Sequence, residues 1–537
     1  MKSALIIILL FFHLIVLSQQ PTIILYNGKI FTADDKQFYV EAIAITNNKI
    51  SAVGKNADIE KLAGANTQKI DLQGKTVIPG INDAHYHNSP FLKARTMGYP
   101  NDGREPGWQE VKDSIAVAIA TTPKGGFIVG TIGIDVGTNE MINRYELDKL
   151  APDHPLILSA YWGHVTILNS AAIKALKIPE NSVDPKGGSF GRDPSSGKIN
   201  GRLYESAQFY GKKNSLTNDQ LISASLMALA GEAKYFGVTT IQNMCTGTSP
   251  GTYTRLLKNI DFPIRFRMIR WGIMEQDGKL SLPDLSVNQT GDQSLHYING
   301  TKWLLDGTPL ERLAEMKVDY KDKEGWKGKM NFMVADIDRM IAEANKRNDP
   351  LMVHAVGDAT ILAFLNTLDK TNAKGSSLLR PRIEHGDGLL PDLFDIAKRN
   401  NVVVVQNPTH LSLVAFMHAR WQGEMEKHGQ PLKSLLKAGI PVAIGSDGPL
   451  NPYLNIMLAC MHPFQPTEAL TVEEAVIAYT RTSAYAEFAE SYKGTLSVGK
   501  VADLAVLSQD IFTIPLPQLP GTSSVLTMID GKIIYKK

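Results

Sequence analysis

The residues of this chain best equipped for chemistry start with two imidazoles one residue apart. His85 and His87 close the run Thr76-Val77-Ile78-Pro79-Gly80-Ile81-Asn82-Asp83-Ala84. In an extended strand side chains alternate between faces, so both histidines point one way and Tyr86 the other. Two ring nitrogens on one face suit the bonds of about 2.0–2.1 Å that a single divalent metal makes. Other residues with ligand chemistry stand at the ends of later apolar runs: Lys302 within Thr301-Lys302-Trp303-Leu304, His354 after Leu351-Met352-Val353, His385 after Arg382-Ile383-Glu384, and Asp447 after Val442-Ala443-Ile444-Gly445-Ser446.

The elements that would have to position these groups show a strand-helix rhythm. Strand-like runs end near Asp83, at Val238 to Asn243, Ile264 to Ile269, Thr301 to Leu304, Leu351 to His354, Arg382 to His385, Val402 to Gln406 and Val442 to Asp447. Helical patterns lie between several of them, at Leu221 to Phe236, Ile337 to Lys346, Ile361 to Leu368, Asp392 to Arg399 and Leu432 to Ala438, most closed by Gly, Asn or Asp. Eight such units argue for an α/β fold, a (β/α)8 TIM-like barrel. The alternative, a doubly wound sheet, lacks its glycine-rich strand-to-helix turn. In a barrel, chemistry sits at the C-terminal ends of the strands, where His85, His87, Lys302, His354, His385 and Asp447 fall.

Outside that region the chain changes idiom. From Thr22 to Leu72 it reads as short strands joined by turns such as Asn27-Gly28, and Asp503 to Leu507 with Val525 to Tyr535 answer in kind. These runs imply a small β-sandwich built from both termini, residues 19–75 and 490–537, around a barrel of residues 76–489. About 150 residues separate the first two barrel strands, more than a loop needs, so an inserted subdomain at about 88–237 is expected over the barrel mouth. It carries Tyr161-Trp162-Gly163-His164 and Gly201-Arg202-Leu203-Tyr204-Glu205, which are candidates to shape a pocket.

At the front, Lys2 precedes the apolar run Ala4 to Leu17. Residues 1–18 read as a secretory signal peptide cut before Gln19, with an uncleaved anchor as the alternative. The mature chain is expected to be exported, periplasmic or secreted, and free of the membrane. Only Cys245 and Cys460 are present, in apolar surroundings, so a disulfide framework is not expected. With 56 basic and 54 acidic residues the net charge is +2, which disfavours nucleic acid as a partner and leaves a small-molecule substrate; homo-oligomerisation is left open.

Taken together, these motifs resemble the amidohydrolase superfamily of metal-dependent hydrolases, and within it the YtcJ-like branch. The resemblance spans nearly the whole mature chain. It rests on Pro79 to His87, Leu147 to Pro155, Gly163-His164, Asn169 to Ala172, His354 to Asp358, Arg382 to His385, Gly445-Ser446-Asp447 and Gly494 to Leu504. It implies a hydrolytic metal centre of one or two ions. In related barrels the His-x-His pair and the strand-eight Asp hold one metal, two later histidines a second, and a strand-four Lys, carboxylated by carbon dioxide, bridges them. Carried over, these are His85, His87, Asp447, His354, His385 and Lys302. His164 and His410 match branch positions and are read as substrate-pocket residues. The second strand ends in Gln242-Asn243 where relatives often carry an Asp, so no carboxylate acts there.

The chemistry that follows is hydrolysis of a carbon–nitrogen bond, a non-peptide or cyclic amide, in a small molecule. Asp447 would be both ligand and general base. The nitrogen-rich donor set favours zinc. Asp358 beside His354 and Glu384 beside His385 are candidate acceptors for the second ring nitrogens. A metal-assisted isomerase or lyase, or a non-catalytic binding protein on the same scaffold, are the alternatives.

Overall fold

Eight parallel strands, each buried on both faces, form one sheet whose order follows the sequence. They are β1 (Ile81–Tyr86), β2 (Val238–Met244), β3 (Arg265–Trp271), β4 (His296–Leu304), β5 (Leu351–Ala355), β6 (Arg382–His385), β7 (Val403–Gln406) and β8 (Val442–Ile444). The computed structural model describes residues 20–88, 105–213, 217–282, 293–372 and 380–537. The expected leader at 1–18 lies outside the described residues. Within them no helix is long and apolar enough to cross a membrane.

The ladder runs from β1 to β8, and the seam between these two is closed by other means. The Asp447 amide donates to the His85 carbonyl at 2.9 Å, and the Ser446 amide to Asp83 Oδ1 at 3.0 Å. Gly445 makes this approach possible, since a Cβ there would stand 2.3 Å from the His85 nitrogen. The sheet is thus a nearly closed (β/α)8 barrel, as the strand-helix rhythm implies.

Helices pack outside the strands, each set by local signals. Asp219–Phe236 starts at Asn218, whose side chain accepts from the Leu221 amide, and stops at Gly237 with φ 76. Its buried face, Ile222, Leu226, Leu229 and Ala233, joins the main core with Ile241, Phe266 and Val353. This helix belongs to the barrel's outer ring, so the inserted layer ends before Asn218 rather than near residue 237.

The insertion carries its own five-stranded sheet. Its order is Gly188–Arg192, Ile199–Glu205, Val165–Leu168, Leu156–Ala160, Ile128–Ile132. A separate core of Val111, Ile115, Leu147, Leu158 and Ile167 holds it to its helices.

Both termini build the sandwich. One sheet is wholly N-terminal; the other pairs Leu504–Leu507 with Thr76–Pro79, Leu504 opposite Pro79. The run read as one strand from Thr76 to His87 is therefore two. Thr76–Pro79 lies in the sandwich, and Gly80, whose amide donates to Asp503 O, turns the chain into β1. A Cβ on Gly80 would meet Thr239 Oγ1 at 2.2 Å, so the break has a packing reason that strand periodicity does not register. Arg265, buried on β3, binds Asp503 at 2.7 Å and Asp530 at 2.6 Å and ties barrel to sandwich. Among the described residues Cys245 and Cys460 form no disulfide.

Candidate metal centre

The strand ends bring one carboxylate into the middle of a group of imidazoles. Asp447 Oδ1 lies 3.7 Å from His85 Nε2 and 3.6 Å from His87 Nε2, and Oδ2 lies 3.9 Å from His385 Nδ1 and 3.8 Å from His410 Nε2. The two Nε2 atoms of His85 and His87 are 3.2 Å apart. Two residues of this group, His385 (φ 71) and Asp447 (φ 42), have left-handed backbones. Non-glycine residues adopt this region at a cost, commonly where a site requires it.

These spacings fit a metal. Ligands about 2.1 Å from one ion in a tetrahedron stand about 3.4 Å from each other, close to the separations among His85, His87 and Asp447. The donor atoms of that trio lie within 4.8 Å of one another, as do those of His385, His410 and Asp447. His385 Nδ1 is buried and has no hydrogen-bond partner, which is costly for a polar atom unless something else binds it.

His354 stands beside this group and turns one ring nitrogen away from it. Its ring is 4.4 Å from that of His385, centroid to centroid, yet Nε2 faces the Gly307 carbonyl at 3.4 Å and Asp306 Oδ1 at 3.8 Å. The pairing that sets two nitrogens on Asp447 Oδ2 is His385 with His410, the residue read only as part of the pocket. Lys302, on β4, is 1% exposed. Burial lowers its amine to about 8 against the pull of Glu384 and Asp447.

Two support roles require correction. Glu384 does not serve its neighbour His385; its Oε2 accepts from His85 Nδ1 at 2.6 Å, one strand past the seam. Arg382 grips the same carboxylate at 2.9 and 3.1 Å. Asp358 opens the helix Asp358–Asn372 and accepts from the Lys317 amide at 2.8 Å, fastening the segment after β4 rather than orienting His354. Each carboxylate is taken by a partner distant in sequence, so sequence neighbours are poor guesses for such partners.

Other participants escaped the sequence reading. Asp306, two residues past β4, accepts from the Val356 and Gly357 amides and faces His354. Asp83 accepts from the His85 and Ser446 amides and stiffens the seam. Thr246, just past β2, meets His87 Nδ1 at 3.2 Å. Gln242 takes up the position without a carboxylate: its Oε1 accepts from Arg267 at 2.9 Å and Arg382 at 2.5 Å. An acidic residue at a strand end was a usable signal for Asp306; for Thr246 none exists in the sequence, and Gln242, already noted at the end of the second strand, gives no sign there of its arginine partners.

The electrostatics suit ligands that must be unprotonated. Burial holds His85, His354 and His385 below the ordinary imidazole value of 6.5 and takes His87 down to about 3. Burial alone would raise Asp447, but His85, His87, His410 and Lys302 around it hold it well below the usual carboxylate range. His164 behaves in the opposite way. Burial disfavours its charge, yet Glu205, 2.8 Å from Nδ1, lifts it to about 9. The insertion delivers this ring to 5.1 Å from that of His354.

Comparison with known proteins shows what the chain as a whole is similar to. The chain is 25% identical to the N-substituted formamide deformylase of Arthrobacter pascens, over 97% of its own length and 99% of the relative's. It is 26% identical to the putative amidohydrolase YtcJ of Bacillus subtilis, over 95% and 99%. A solved metal-dependent hydrolase of Pyrococcus furiosus, uncharacterised, superposes with a TM-score of 0.67 at 21% identity, over 91% of this chain and all of that one, and shares the fold. Residues 68–535 match the Amidohydrolase family, and the chain therefore belongs to that family of metal-dependent hydrolases.

Proposed function

We propose that this protein hydrolyses a carbon–nitrogen bond, in an amide or cyclic amide outside a peptide backbone, of a small molecule. The observation that carries the reading is the position of Asp447, its two oxygens 3.6–3.9 Å from nitrogens of His85, His87, His385 and His410. His85, His87 and Asp447 would hold one divalent metal, with zinc favoured by the nitrogen donors, and His385 with His354 or His410, and Lys302 if carboxylated, a second. When bound, the metal supplies Lewis-acid polarisation and brings the pKa of water from about 15.7 to about 7.

The chain's own residues do the rest. Asp447, ionised among its nitrogens, accepts the proton of the attacking water and hands it to the leaving nitrogen. Glu384 fixes the His85 ring so that Nε2 is the bare nitrogen. His164, kept charged by Glu205, would donate to the oxygen on which negative charge develops. The deformylase named among the relatives cleaves bonds of this class, which supports the choice.

Turnover of the zinc-loaded protein on N-substituted formamides, N-acyl amines, cyclic amides and esters tests the proposal. Release of amine from an amide, abolished by chelation and restored by divalent metal, is expected. Conversion to an isomer without uptake of water, or no turnover across the panel, contradicts it. We also propose that the chain is exported with cleavage before Gln19. N-terminal sequencing of the protein from its native cells checks this, and a mature chain starting at Met1 contradicts it.

A further inference from the structure

Beside the metal cluster lies a cavity of about 280 Å³ that the hydrolytic chemistry does not itself use. Its walls come from three separate parts of the fold, the inserted layer and the segments at the ends of β2 and β3. Phe209 and Tyr210 belong to the inserted layer, and Trp271, Ile273 and Met274 to the end of β3 and the segment after it. The Trp271 indole is shared between cavity and cluster. Its ring centroid is 5.4 Å from that of Phe209 on one side and 6.4 Å from that of His87 on the other. Cys245 and Gly247 line the cavity on either side of Thr246, whose hydroxyl meets His87 Nδ1.

The lining is mostly aromatic and aliphatic, with Ser206, Thr248, Ser249, Glu275, Lys186 and Gln276 as its polar members, and the last two are turned to other duties. Lys186 reaches Asp336 at 3.3 Å, and Gln276 donates to the Asp184 carbonyl at 2.7 Å. An apolar cavity of about 150 Å³ takes benzene, so this one has room for a single ring with its linking carbons. Burying such a group is favourable by about 25 cal/mol per Å², and the aromatic walls add to that.

We infer that this cavity is the specificity pocket of the site and takes an uncharged apolar substituent of the substrate, up to one ring in size, carried next to the bond held at the metal cluster. The inference rests on the proposed hydrolytic function and adds the substrate class to it. Phe209 and Trp271 are then specificity-determining residues, and the inserted layer acts in recognition as well as in covering the barrel. Small polar amides and amides with a charged substituent are poor substrates.

Two measurements on the zinc-loaded full chain separate the inference from the function beneath it. The first compares kcat/KM for a series of N-acyl compounds that differ only in one substituent: methyl, isobutyl, cyclohexylmethyl and aminobutyl. A rise of about tenfold or more from methyl to the ring, none for the cationic member, and a loss of most of that rise in Phe209→Ala, larger for the ring than for methyl, are expected. Turnover with a flat or inverted profile overturns the pocket and leaves the hydrolase standing. The second uses cyclohexylmethanol, which cannot be hydrolysed, as a ligand in NMR titration. Saturable binding weakened about fivefold in Phe209→Ala supports the pocket even if no compound turns over, in which case only the hydrolytic reading fails. No saturable binding, or binding unchanged in Phe209→Ala and in Ile273→Ala, overturns it.

Discussion

Glu384 accepts a hydrogen bond from His85 Nδ1 at 2.6 Å across 299 positions of sequence. Both side chains are buried, and the carboxylate is held in turn by Arg382, itself fully buried. With Nδ1 carrying the proton, His85 Nε2 is left bare and faces His87 and Asp447. A chain of Arg382, Glu384 and His85 thus runs from the barrel interior to the candidate metal centre.

Glu384→Gln keeps the shape of this chain and removes its charge. Metal affinity is expected to fall about 10–100-fold, since the acceptor that orients His85 is weakened. Arg382 loses its ion pair inside the barrel, at a cost of about 3–5 kcal/mol in stability. Competition titration with a chelator and urea denaturation measure the two effects. Unchanged affinity would remove Glu384 from the centre's support.

Acid should act on the centre in a defined direction. In the unfolded chain His85, His87, His354 and His385 take protons near 6.5; in the metal-free fold burial lowers all four, His87 to about 3. Between those values the unfolded state binds more protons, so stability rises with pH. Metal-free protein is expected to lose stability as pH falls through 6.5, and loaded protein to release metal over the same range because protons compete for the nitrogens. Denaturation and metal content measured from about pH 7 down to about pH 4 check this. A flat profile contradicts it.

Lys302 offers a third test. Only a neutral amine can take up carbon dioxide. At a value of about 8, roughly one amine in ten is neutral at pH 7, against roughly one in three thousand at the ordinary 10.5. Burial therefore favours carboxylation of this lysine. Lys302→Ala is expected to lower metal affinity by about 10–100-fold, with part restored by short carboxylic acids and bicarbonate. Metal content and rate equal to those of the unaltered protein would place Lys302 outside the centre.

Much of the scaffold was legible before any coordinates. Barrel strands buried on both faces read as continuous apolar runs such as Val402 to Val405, and their helices end at left-handed caps such as Gly237 and Gly439. That logic puts His85, His354, His385 and Asp447 on one rim. What it cannot reach is pairing across the barrel. Glu384 and His385 are neighbours on β6, where alternation should send them apart; the left-handed backbone at His385 breaks the alternation, so both contribute to the cluster. Glu384 to His85 and Glu205 to His164 are contacts set by barrel closure and by the docking of the insertion, and neither leaves a trace in local periodicity. The division of Thr76 to His87 into two strands is likewise set by distant pairing, Thr76–Pro79 with Leu504–Leu507 and β1 with β2.

Asp447 carries the account. In the proposed reaction it would share the work of a ligand with nitrogens of His85, His87, His385 and His410, each 3.6–3.9 Å from its carboxylate, and would alone carry the proton between water and leaving nitrogen. The most direct test is kcat of Asp447→Asn on a compound the unaltered protein hydrolyses, measured beside metal content in the same preparation. A folded variant that keeps most of its metal and loses roughly 10²–10⁴-fold or more in kcat is expected. Near-normal turnover with metal retained would contradict the assignment and pass the proton to another group, such as His410.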